Sequence, residues 1–248
     1  MRAFALALLL ATAATPTASA KPTPIAAAVA AKDRAADAIG LDASRKPTEI
    51  LTFMQMKPGM KALDLLAGNG YYAEIMARAV GPRGRVVAFS PATYMDGKSK
   101  TALEALGARH KNLVYTGNLA AQLAAVGSFD FVMLHLNYHD FYFESVQFKV
   151  PRTDPNMVIA GLFHATKPGG VIAVIDHVGP AGDTRAIVDK LHRIDPETVK
   201  ADFARGGFVL EAESPLLKMA SDDHSKNVFD PTIRGKTDRF AFRFRKPK

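Results

Sequence analysis

Two glycines separated by one residue close a short apolar run in the first third of the chain. The run covers residues 62–66, contains one acid at Asp64, and continues as Ala67-Gly68-Asn69-Gly70. Glycines let a backbone approach a ligand without a Cβ in the way, and a helix that starts behind them offers free N–H groups at its positive end. The spacing therefore predicts a nucleotide-type binding turn, with Asp64 available to a cationic group of the ligand.

Histidines and acids cluster at three later points of the chain. The clusters are residues 135–140 (His-Leu-Asn-Tyr-His-Asp), Asp176-His177, and residues 222–224 (Asp-Asp-His). A histidine beside a carboxylate is a combination used for general base catalysis. We take His139 as the candidate base and Asp140 as the acid that orients it; the alternative is a surface histidine with a structural hydrogen bond. None of the clusters has the tight spacing of a metal site, so no metal is predicted.

Five short apolar runs separated by helix-compatible stretches must position these groups. The runs cover residues 62–66, 86–89, 113–115, 129–134 and 171–175. Such runs are typical of parallel strands that are buried on both faces and joined by crossover helices. Two further strand-like segments, 208–214 and 239–244, close the chain. We predict an α/β fold, a Rossmann-like, doubly wound, mostly parallel seven-stranded sheet with an antiparallel C-terminal strand pair.

The helix-compatible stretches lie where the crossovers require them. They cover residues 25–39, 47–56, 71–80, 98–108, 118–125, 156–166 and 184–205. In an open α/β sheet, ligands bind outside the carboxyl ends of the strands, so the glycine turn and the three polar clusters should meet at one edge. If the sixth strand runs parallel to the first five, the polar connection over residues 215–237 starts at that edge, and we expect it to contribute contacts there.

The first 20 residues have the pattern of a secretory signal. Arg2 supplies a positive charge, residues 4–10 are apolar, and Ala18-Ser19-Ala20 offers small residues for cleavage. We predict a signal peptide over 1–20, an N-terminal linker and helix over 21–46, and one domain over 47–248. The predicted location is periplasmic or secreted. No stable membrane insertion after cleavage is expected, because no later apolar run is long enough to span a bilayer.

Composition excludes several classes of chemistry and partner. The chain has no cysteine, which excludes disulfides and thiolate chemistry. The formal net charge is +8, but the basic residues are scattered except at residues 239–248, where they alternate with phenylalanine. This alternation describes a strand with one apolar and one solvated face, whereas nucleic-acid binding requires a concentrated basic patch. No nucleic-acid partner is predicted, and the oligomeric state is left open.

The segment over residues 57–72 carries a family resemblance. With Pro58-Gly59 before the apolar run and Gly68-Asn69-Gly70 after it, the segment resembles motif I of class I S-adenosylmethionine-dependent methyltransferases. The resemblance continues through residues 127–132, 167–170 and 206–208. A narrower resemblance is to exported bacterial predicted methyltransferases. It is carried by the signal, by residues 137–140 and 193–196, and by the Asp-Asp-His segment.

The resemblance implies S-adenosylmethionine as the cofactor and a small molecule as the methyl acceptor. The cofactor-binding residues assigned on it are Asp64, Ala67, Gly68, Asn69, Gly70, Tyr71, Ser90, Asn118, His135 and Asn137. The acceptor-binding residues assigned on it are Tyr138, Tyr142, His177 and His224. Aromatic side chains over residues 138–148 favour an apolar or aromatic acceptor, although core packing explains them equally well.

Two positions depart from the family pattern. Leu66 stands where the first motif glycine is common, which is compatible with the motif if the turn tightens only after it. Ser90 stands at the end of the second strand, where an acid usually holds both ribose hydroxyls, and a neutral hydroxyl makes weaker hydrogen bonds than a carboxylate.

We interpret the sequence as an S-adenosylmethionine-dependent methyltransferase of the cell envelope that acts on a small molecule. One alternative is a non-catalytic exported binding protein with this fold. The other is an NAD(P)-dependent oxidoreductase, because residues 68–73 also fit G-x-G-x-x-A.

Overall fold

The computed structural model describes residues 22–91 and 97–248 of the chain. The predicted signal peptide and its cleavage site lie outside the described residues. The strands are β1 (Lys61–Leu65), β2 (Arg85–Phe89), β3 (Leu113–Thr116), β4 (Phe129–His135), β5 (Thr166–His177), β6 (Val209–Ser214) and β7 (Arg239–Arg245). The helices are α1 (Pro24–Val29), α2 (Ala36–Gly40), α3 (Asp42–Arg45), α4 (Pro47–Phe53), α5 (Tyr71–Val80), α6 (Gly97–Arg109), α7 (Leu119–Leu123), α8 (Pro155–Ala165), α9 (Thr184–Leu191) and α10 (Pro196–Arg205).

The strands form one seven-stranded sheet in the order β3-β2-β1-β4-β5-β7-β6. Strands β1 to β5 pair in parallel, and β7 pairs antiparallel with both β5 and β6. The predicted fold class is therefore confirmed. The order reverses between β1 and β4, which is the position where open α/β sheets bind their ligands, outside the carboxyl ends of the strands.

Three helix predictions are corrected at their ends or interiors. The stretch 25–39 contains two short helices separated by a turn, and α7 is shorter than the predicted 118–125. The stretch 184–205 contains two helices, because His192 adopts a left-handed conformation (φ 51°) after α9 and Asp195 caps the next helix. Pro196 occupies the first turn of α10, where its missing N–H costs nothing.

The core has one apolar cluster on each face of the sheet. On one face α1, α4 and α5 contribute Ile25, Ile50 and Ile75. On the other face α8 and α10 contribute Ile159 and Phe203, and alternate residues of β7 (Phe240, Phe242 and Phe244) join them. The sheet is thus buried on both sides, as near-continuous apolar strands require.

The opposite face of β7 is not the solvated face that the alternation of arginine and phenylalanine predicted. Strand β7 lies inside the sheet, and its arginines are covered by the N-terminal helices. Arg243 donates to the Phe53 carbonyl at the end of α4, and Arg245 donates to Gln55 Oε1 (2.7 Å). Both also pair with Glu211 of β6. Arg239, at the start of β7, is only 4% exposed.

The connection from β6 to β7 is folded against the sheet. Asp222 accepts both guanidinium nitrogens of the fully buried Arg193, at 2.9 and 3.0 Å. Asp222 also accepts the backbone N–H of Asp238 (2.6 Å). As predicted, β6 runs parallel to β5, because each pairs antiparallel with β7. The connection therefore leaves β6 at the edge where the parallel strands end.

Within residues 22–91 and 97–248, no helix has the length and apolar character that crossing a membrane requires.

Candidate functional site

A cavity of about 260 Å³ lies beside the glycine turn and is named here the glycine-turn cavity. It is lined by the end of β1 and the turn behind it, by the end of β4, and by the segment around α3. Its lining residues are Leu41, Arg45, Asp64, Leu66, Ala67, Gly68, Asn69, Tyr71, Tyr72, His135, Leu136 and Asn137. The structure thus brings together seven of the ten residues assigned to the cofactor: Asp64, Ala67, Gly68, Asn69, Tyr71, His135 and Asn137.

The glycine turn begins one residue earlier than the sequence suggested. Leu66 itself adopts a left-handed conformation (φ 57°), and Gly68 follows with φ 54°. The turn therefore tightens at Leu66 and not only after it, which corrects that expectation. A Cβ on Gly68 would meet no atom within 4 Å, because the position opens into free space. Backbone beside open space is what close approach to a ligand requires.

Close packing of neighbouring helices, and not open space, requires glycine at Gly70. It has φ 82° and precedes α5, and a Cβ there would lie 2.4 Å from Leu106 and 2.8 Å from Leu103, both on α6. Gly70 does not line the cavity. In the structure Gly70 lets α5 and α6 pack closely, and its assignment as a cofactor contact stays a prediction.

Asp64 is the central charged group of the glycine-turn cavity. Its side chain is buried, and Oδ2 has no hydrogen-bond partner among the described residues. Burial raises the pKa of this carboxyl to about 7, although a hydrogen bond from the Ala73 backbone and the nearby charge of Arg45 oppose the rise. Unpaired buried polar atoms are rare in native proteins because each costs free energy. An oxygen of this kind is placed to accept a ligand cation.

Three further buried polar atoms on this cavity lack partners among the described residues. They are Tyr72 Oη, His135 Nε2 and Asn137 Oδ1. The amide nitrogen of Asn137 is used, since it donates to the Leu65 carbonyl at 2.6 Å and ties the end of β4 to the end of β1. Burial lowers the pKa of His135 well below its usual value, so its ring is neutral. The cavity therefore offers unfilled hydrogen-bonding positions.

The segment around α3 closes the glycine-turn cavity from one side. The Arg45 guanidinium lies 4.3 Å from the centre of the Tyr71 ring. Arg34 anchors the segment by pairing with both oxygens of Asp42 (2.7 and 2.9 Å), and the Tyr71 hydroxyl donates to the same carboxylate at 2.7 Å. Leu41, Ser44 and Arg45, which the sequence assigned to a linker and helix outside the domain, thus line the two cavities.

A larger cavity of about 690 Å³ adjoins the first and is named here the histidine cavity. Leu41, Arg45 and Leu136 line both cavities. The other lining residues are Ser44, His139, Asp140, Phe143, Phe148, Val150, His177, His192, Val228, Phe229, Arg234, Gly235, Thr237 and Arg239. The shared wall places the two cavities side by side at the carboxyl edge of the sheet.

His139 is held by Asp176 and not by Asp140. Its Nδ1 lies 2.8 Å from Asp176 Oδ1, and its backbone N–H donates to Asp176 Oδ2 at 2.9 Å. Asp140 is farther away, at 3.6 Å from Nε2. Burial opposes a charge on the ring, but the Asp176 carboxylate outweighs it and raises the pKa of His139 to about 9. The expected orienting role of Asp140 is corrected, and His139 carries a proton at neutral pH.

The other two histidines of the cavity are neutral at neutral pH. Burial lowers the pKa of His177 to about 3, and its Nδ1 lies 2.8 Å from Thr237 Oγ1. Burial also lowers the pKa of His192, whose Nδ1 has no partner among the described residues. The ring of His192 packs against Phe143 and Phe229, with centroids 5.0 Å apart in each case. In the part of the chain that the structure describes, no group of histidines and acids is arranged to hold a metal ion.

Several predicted site residues lie away from both cavities. Tyr138 and Tyr142, assigned to the acceptor, donate their hydroxyls to Asp202 of α10 on the other side of the sheet, where Tyr138 is buried in the core and Tyr142 packs against it half-buried. This corrects their assignment. His224 also lies elsewhere, with its Nε2 3.1 Å from Asp238.

Two predicted cofactor residues also lie outside the cavity lining. Asn118 accepts the backbone N–H of Ala121 (3.0 Å) and thereby caps α7. Ser90 is buried at the end of β2 and lines neither cavity.

Several lining residues carry no local signal in the sequence. Arg45 lies in a segment without a motif, and His192 ends a helix that the sequence extended through it. The alternation of arginine and phenylalanine in β7 assigned Arg239 to solvent, although it lines the histidine cavity. Thr237 and Phe229 come from the polar connection, which does contribute to the ligand edge, though with residues other than the predicted His224.

Part of the chain is similar in sequence to known methyltransferases. Residues 40–132 match the family model of protein-L-isoaspartate(D-aspartate) O-methyltransferase. A demethylmenaquinone methyltransferase of Bacillus cereus (strain ATCC 10987 / NRS 248) is 28% identical over 132 residues, which cover 53% of this chain and 51% of the relative. The chain spans about half the length of the curated relatives it matches.

Solved structures share the fold. A SAM dependent methyltransferase from Aquifex aeolicus superposes with a TM-score of 0.59 at 18% identity, covering 84% of this chain and 96% of the other. The chain therefore has the α/β methyltransferase fold, with a seven-stranded, mostly parallel sheet. The [4+2]-cyclase SpnF also superposes, with a TM-score of 0.56 at 14% identity over 83% of this chain and 81% of that one. This fold therefore does not by itself fix the reaction.

Proposed function

We propose that the protein is an S-adenosylmethionine-dependent methyltransferase that binds its cofactor in the glycine-turn cavity and a small-molecule acceptor in the histidine cavity. The observation that carries the proposal is the concentration of unpaired buried polar atoms. Of the eight found among the described residues, four line the first cavity (on Asp64, Tyr72, His135 and Asn137) and two line the second (on His192 and Arg239). Such atoms are usually satisfied by a ligand or water.

The charges in the glycine-turn cavity fit the amino-acid end of S-adenosylmethionine. Asp64 Oδ2 is placed to accept from an ammonium group, and Arg45 is placed to pair with a carboxylate on the same side. Arg45 makes no hydrogen bond to the described residues, so its guanidinium is available to an anion. The open space at Gly68 leaves room for the chain that links these groups to the nucleoside. When bound, the cofactor supplies an electrophilic methyl group on a sulfonium.

The residues of the histidine cavity would bind and orient the acceptor. His139, protonated at neutral pH and fixed by Asp176, holds a hydrogen at Nε2 that an acceptor oxygen could receive. The aromatic and aliphatic side chains of the wall exclude water from the apolar part of the acceptor. The demethylmenaquinone methyltransferase relative supports a small-molecule acceptor.

A non-catalytic binding protein is the second candidate, and the neutral Ser90 is the observation that favours it. A carboxylate at the end of β2 would form charge-assisted hydrogen bonds to ribose hydroxyls, which are roughly twice as strong as neutral ones. Loss of that contact weakens cofactor binding. The oxidoreductase alternative loses its support, because the antiparallel β7-β6 pair takes the place of the second mononucleotide-binding half.

Export to the cell envelope is part of the proposal. It is supported by the charged start, the apolar stretch and the small residues before Lys21 in the sequence. Sequencing the N-terminus of the protein from its native cell fraction tests it. A start close to Lys21 is expected, and a chain that still begins at Met1 would contradict export with cleavage.

Calorimetry of residues 21–248 with S-adenosylhomocysteine and with NAD tests the cofactor assignment. Binding of S-adenosylhomocysteine without binding of NAD is expected. A transfer assay with S-adenosylmethionine labelled in its methyl group then separates enzyme from binding protein. Cofactor binding without transfer to any of a panel of small aromatic acceptors would favour the second candidate.

A further inference from the structure

The histidine cavity contains a buried arginine that lacks a counter-ion. Three arginines are almost fully buried in the described residues: Arg34, Arg193 and Arg239, with 4%, 0% and 4% exposure. Arg34 pairs with both oxygens of Asp42, and Arg193 pairs with both oxygens of Asp222. No carboxylate of the described residues pairs with Arg239. Buried charges in proteins are paired or bind ligands, so Arg239 is the exception that requires an explanation.

The hydrogen bonds of Arg239 are also incomplete. Its guanidinium makes one hydrogen bond to the described residues, from Nη2 to the Ser44 carbonyl at 2.6 Å, and its buried Nε has no partner. The neighbouring Asp238 does not neutralise it, because that carboxylate is directed to His224 and to the Met219 backbone N–H. A guanidinium with free donors beside a cavity matches the planar, two-oxygen geometry of a carboxylate.

Most of the remaining charges of the cavity are also positive. Arg45 and Arg234 line it together with the protonated His139, while Asp140 is the one lining acid. Asp176 lies beneath and is already occupied by His139 and by the His177 backbone N–H. Arg45 also lines the glycine-turn cavity, where the proposed function assigns it to the cofactor, whereas Arg239 lines the histidine cavity and not the glycine-turn cavity. The charge of Arg239 is therefore left for the acceptor.

The walls of the same cavity are aromatic and aliphatic. Phe143, His192 and Phe229 form a continuous ring cluster, and Phe148, Val150 and Val228 extend the apolar surface. Aromatic faces of this kind favour a flat, unsaturated ligand. The cavity thus combines one buried cation with an apolar lining.

We propose that the acceptor is an aromatic molecule that carries a carboxylate, with the carboxylate on Arg239 and the ring against Phe143 and Phe229. The term acceptor rests on the proposed function, but the binding of an aromatic acid does not. The carboxylate supplies the counter-ion and the hydrogen-bond acceptors that Arg239 lacks, and the ring replaces water on the apolar wall.

Calorimetry with benzoate, benzamide and acetate tests the inference on the unmodified protein. Benzamide has the shape of benzoate without its charge, and acetate has the charge without the ring. Benzoate is expected to bind at least about tenfold more tightly than either. Equal affinity for benzoate and benzamide, or no benzoate binding at millimolar concentration, would overturn the proposal.

A matched pair of variants then locates the anion. Arg239→Gln is expected to weaken benzoate binding by about tenfold or more and to leave the weak binding of benzamide unchanged. Arg85→Gln removes the same charge from an exposed position at the amino end of β2 and should leave benzoate affinity within about twofold. An equal loss in both variants would mean that only net charge matters, which contradicts the assignment. Should Arg239→Gln unfold, the comparison of benzoate with benzamide decides alone.

S-adenosylhomocysteine binding, measured on the same samples, separates this inference from the proposed function. S-adenosylhomocysteine binding without selective benzoate binding overturns the acceptor class and leaves the methyltransferase proposal standing. Selective benzoate binding without S-adenosylhomocysteine binding removes the proposed function and supports the aromatic-acid site.

Discussion

The two cavities share a wall but are assembled in different ways. The glycine-turn cavity takes most of its lining from residues 64–72 and residues 135–137, which are the ends of two paired strands. The histidine cavity draws on α3, the loop after β4, the end of β5, the end of α9 and the chain before β7. One site is local in sequence, and the other exists only after the sheet, the N-terminal helices and the β6-β7 connection have packed together.

The two cavities also differ in how their acids are used. Asp64 is buried with one oxygen unpaired, whereas Asp176 is buried with both oxygens accepting N–H groups of His139 and His177. The first cavity therefore leaves one oxygen of Asp64 for a cation that its ligand must supply. The second holds a preformed cation at His139 and an unpaired one at Arg239. We therefore expect the ligand of the first cavity to bring a positive group to Asp64, and the ligand of the second cavity to bring a negative group to Arg239.

Asp64→Asn should produce the largest effect. It keeps the shape of the side chain and removes the acceptor charge, so S-adenosylhomocysteine affinity is expected to fall by about 100-fold, equivalent to ~2.7 kcal/mol. Calorimetry measures the change. Asp130→Asn is the matched control, because Asp130 pairs with Lys167 at the opposite edge of the sheet. Unchanged S-adenosylhomocysteine affinity in folded Asp64→Asn would remove the glycine-turn cavity as the cofactor site.

The same substitution has a pH signature. The pKa of Asp64 is raised to about 7, mainly by burial, so the native state favours the protonated acid. Its contribution to stability is therefore complete below its ordinary value of 3.8 and is lost as pH rises through about 7. Binding of an ammonium needs the ionised form and should strengthen over the upper part of that range. Urea unfolding and S-adenosylhomocysteine titration at a series of pH values should show both trends in the wild type and neither in Asp64→Asn.

Asp176→Asn tests the preformed cation of the histidine cavity. The pKa of His139, about 9 with the carboxylate in place, should fall, and its ring signal in NMR reports the shift. Loss of the charge-assisted hydrogen bond is expected to cost ~1.5–3 kcal/mol of unfolding free energy. The raised pKa contributes stability that is complete below its ordinary value of 6.5 and is lost as pH rises through about 9.

Neighbouring groups provide the control for that titration. Asp140 is the other acid facing His139. The rings of His177 and His192 also face His139 and are neutral, and Arg239 faces His177. Asp140→Asn should shift the His139 pKa less, because its 3.6 Å contact is longer than the 2.8 Å contact of Asp176. A larger shift from Asp140→Asn would reverse the assignment of the orienting acid.

Gly68, which lines the first cavity, and Gly70, which does not, should respond differently to the same substitution. Gly70→Ala places a methyl group against Leu103 and Leu106, and overpacking of this kind costs ~1–3 kcal/mol. Gly68→Ala meets no neighbour, so its cost is limited to the left-handed backbone, ~1 kcal/mol. Gly68→Ala should nevertheless lose more S-adenosylhomocysteine affinity, because its methyl group enters the open space. Thermal unfolding and calorimetry of both variants test this expectation. It would be contradicted if the variant that loses more stability also lost more S-adenosylhomocysteine affinity.

The features that could be predicted from the sequence are divided between the two cavities in the same way. The apolar runs and the glycine turn encode β1, α5 and the reversal at β1 and β4 locally, so the sheet and Asp64 could be predicted. Side-chain direction could not be read in the same way. Tyr138 and His139 are adjacent in sequence, yet one donates to Asp202 on one side of the sheet and the other faces Asp176 in the cavity. Arg45 and Arg239 reach the site only through tertiary packing, which leaves no local pattern.

Asn118→Ala should have the smallest effect and marks the boundary of the glycine-turn cavity. The family resemblance assigned Asn118 to the cofactor, whereas the structure places its Oδ1 on the Ala121 backbone N–H at the start of α7. Removing a capping side chain costs about 1 kcal/mol, and α7 is a short helix with no buried residue, so the loss should lie at or below that value. S-adenosylhomocysteine affinity should stay within about twofold, a change of ~0.4 kcal/mol.

Asn118→Asp is the matched variant, because a carboxylate caps as well as an amide. A tenfold loss of affinity in Asn118→Ala with restoration in Asn118→Asp would instead make the residue part of the cofactor site, and the cavity would then extend to the carboxyl end of β3.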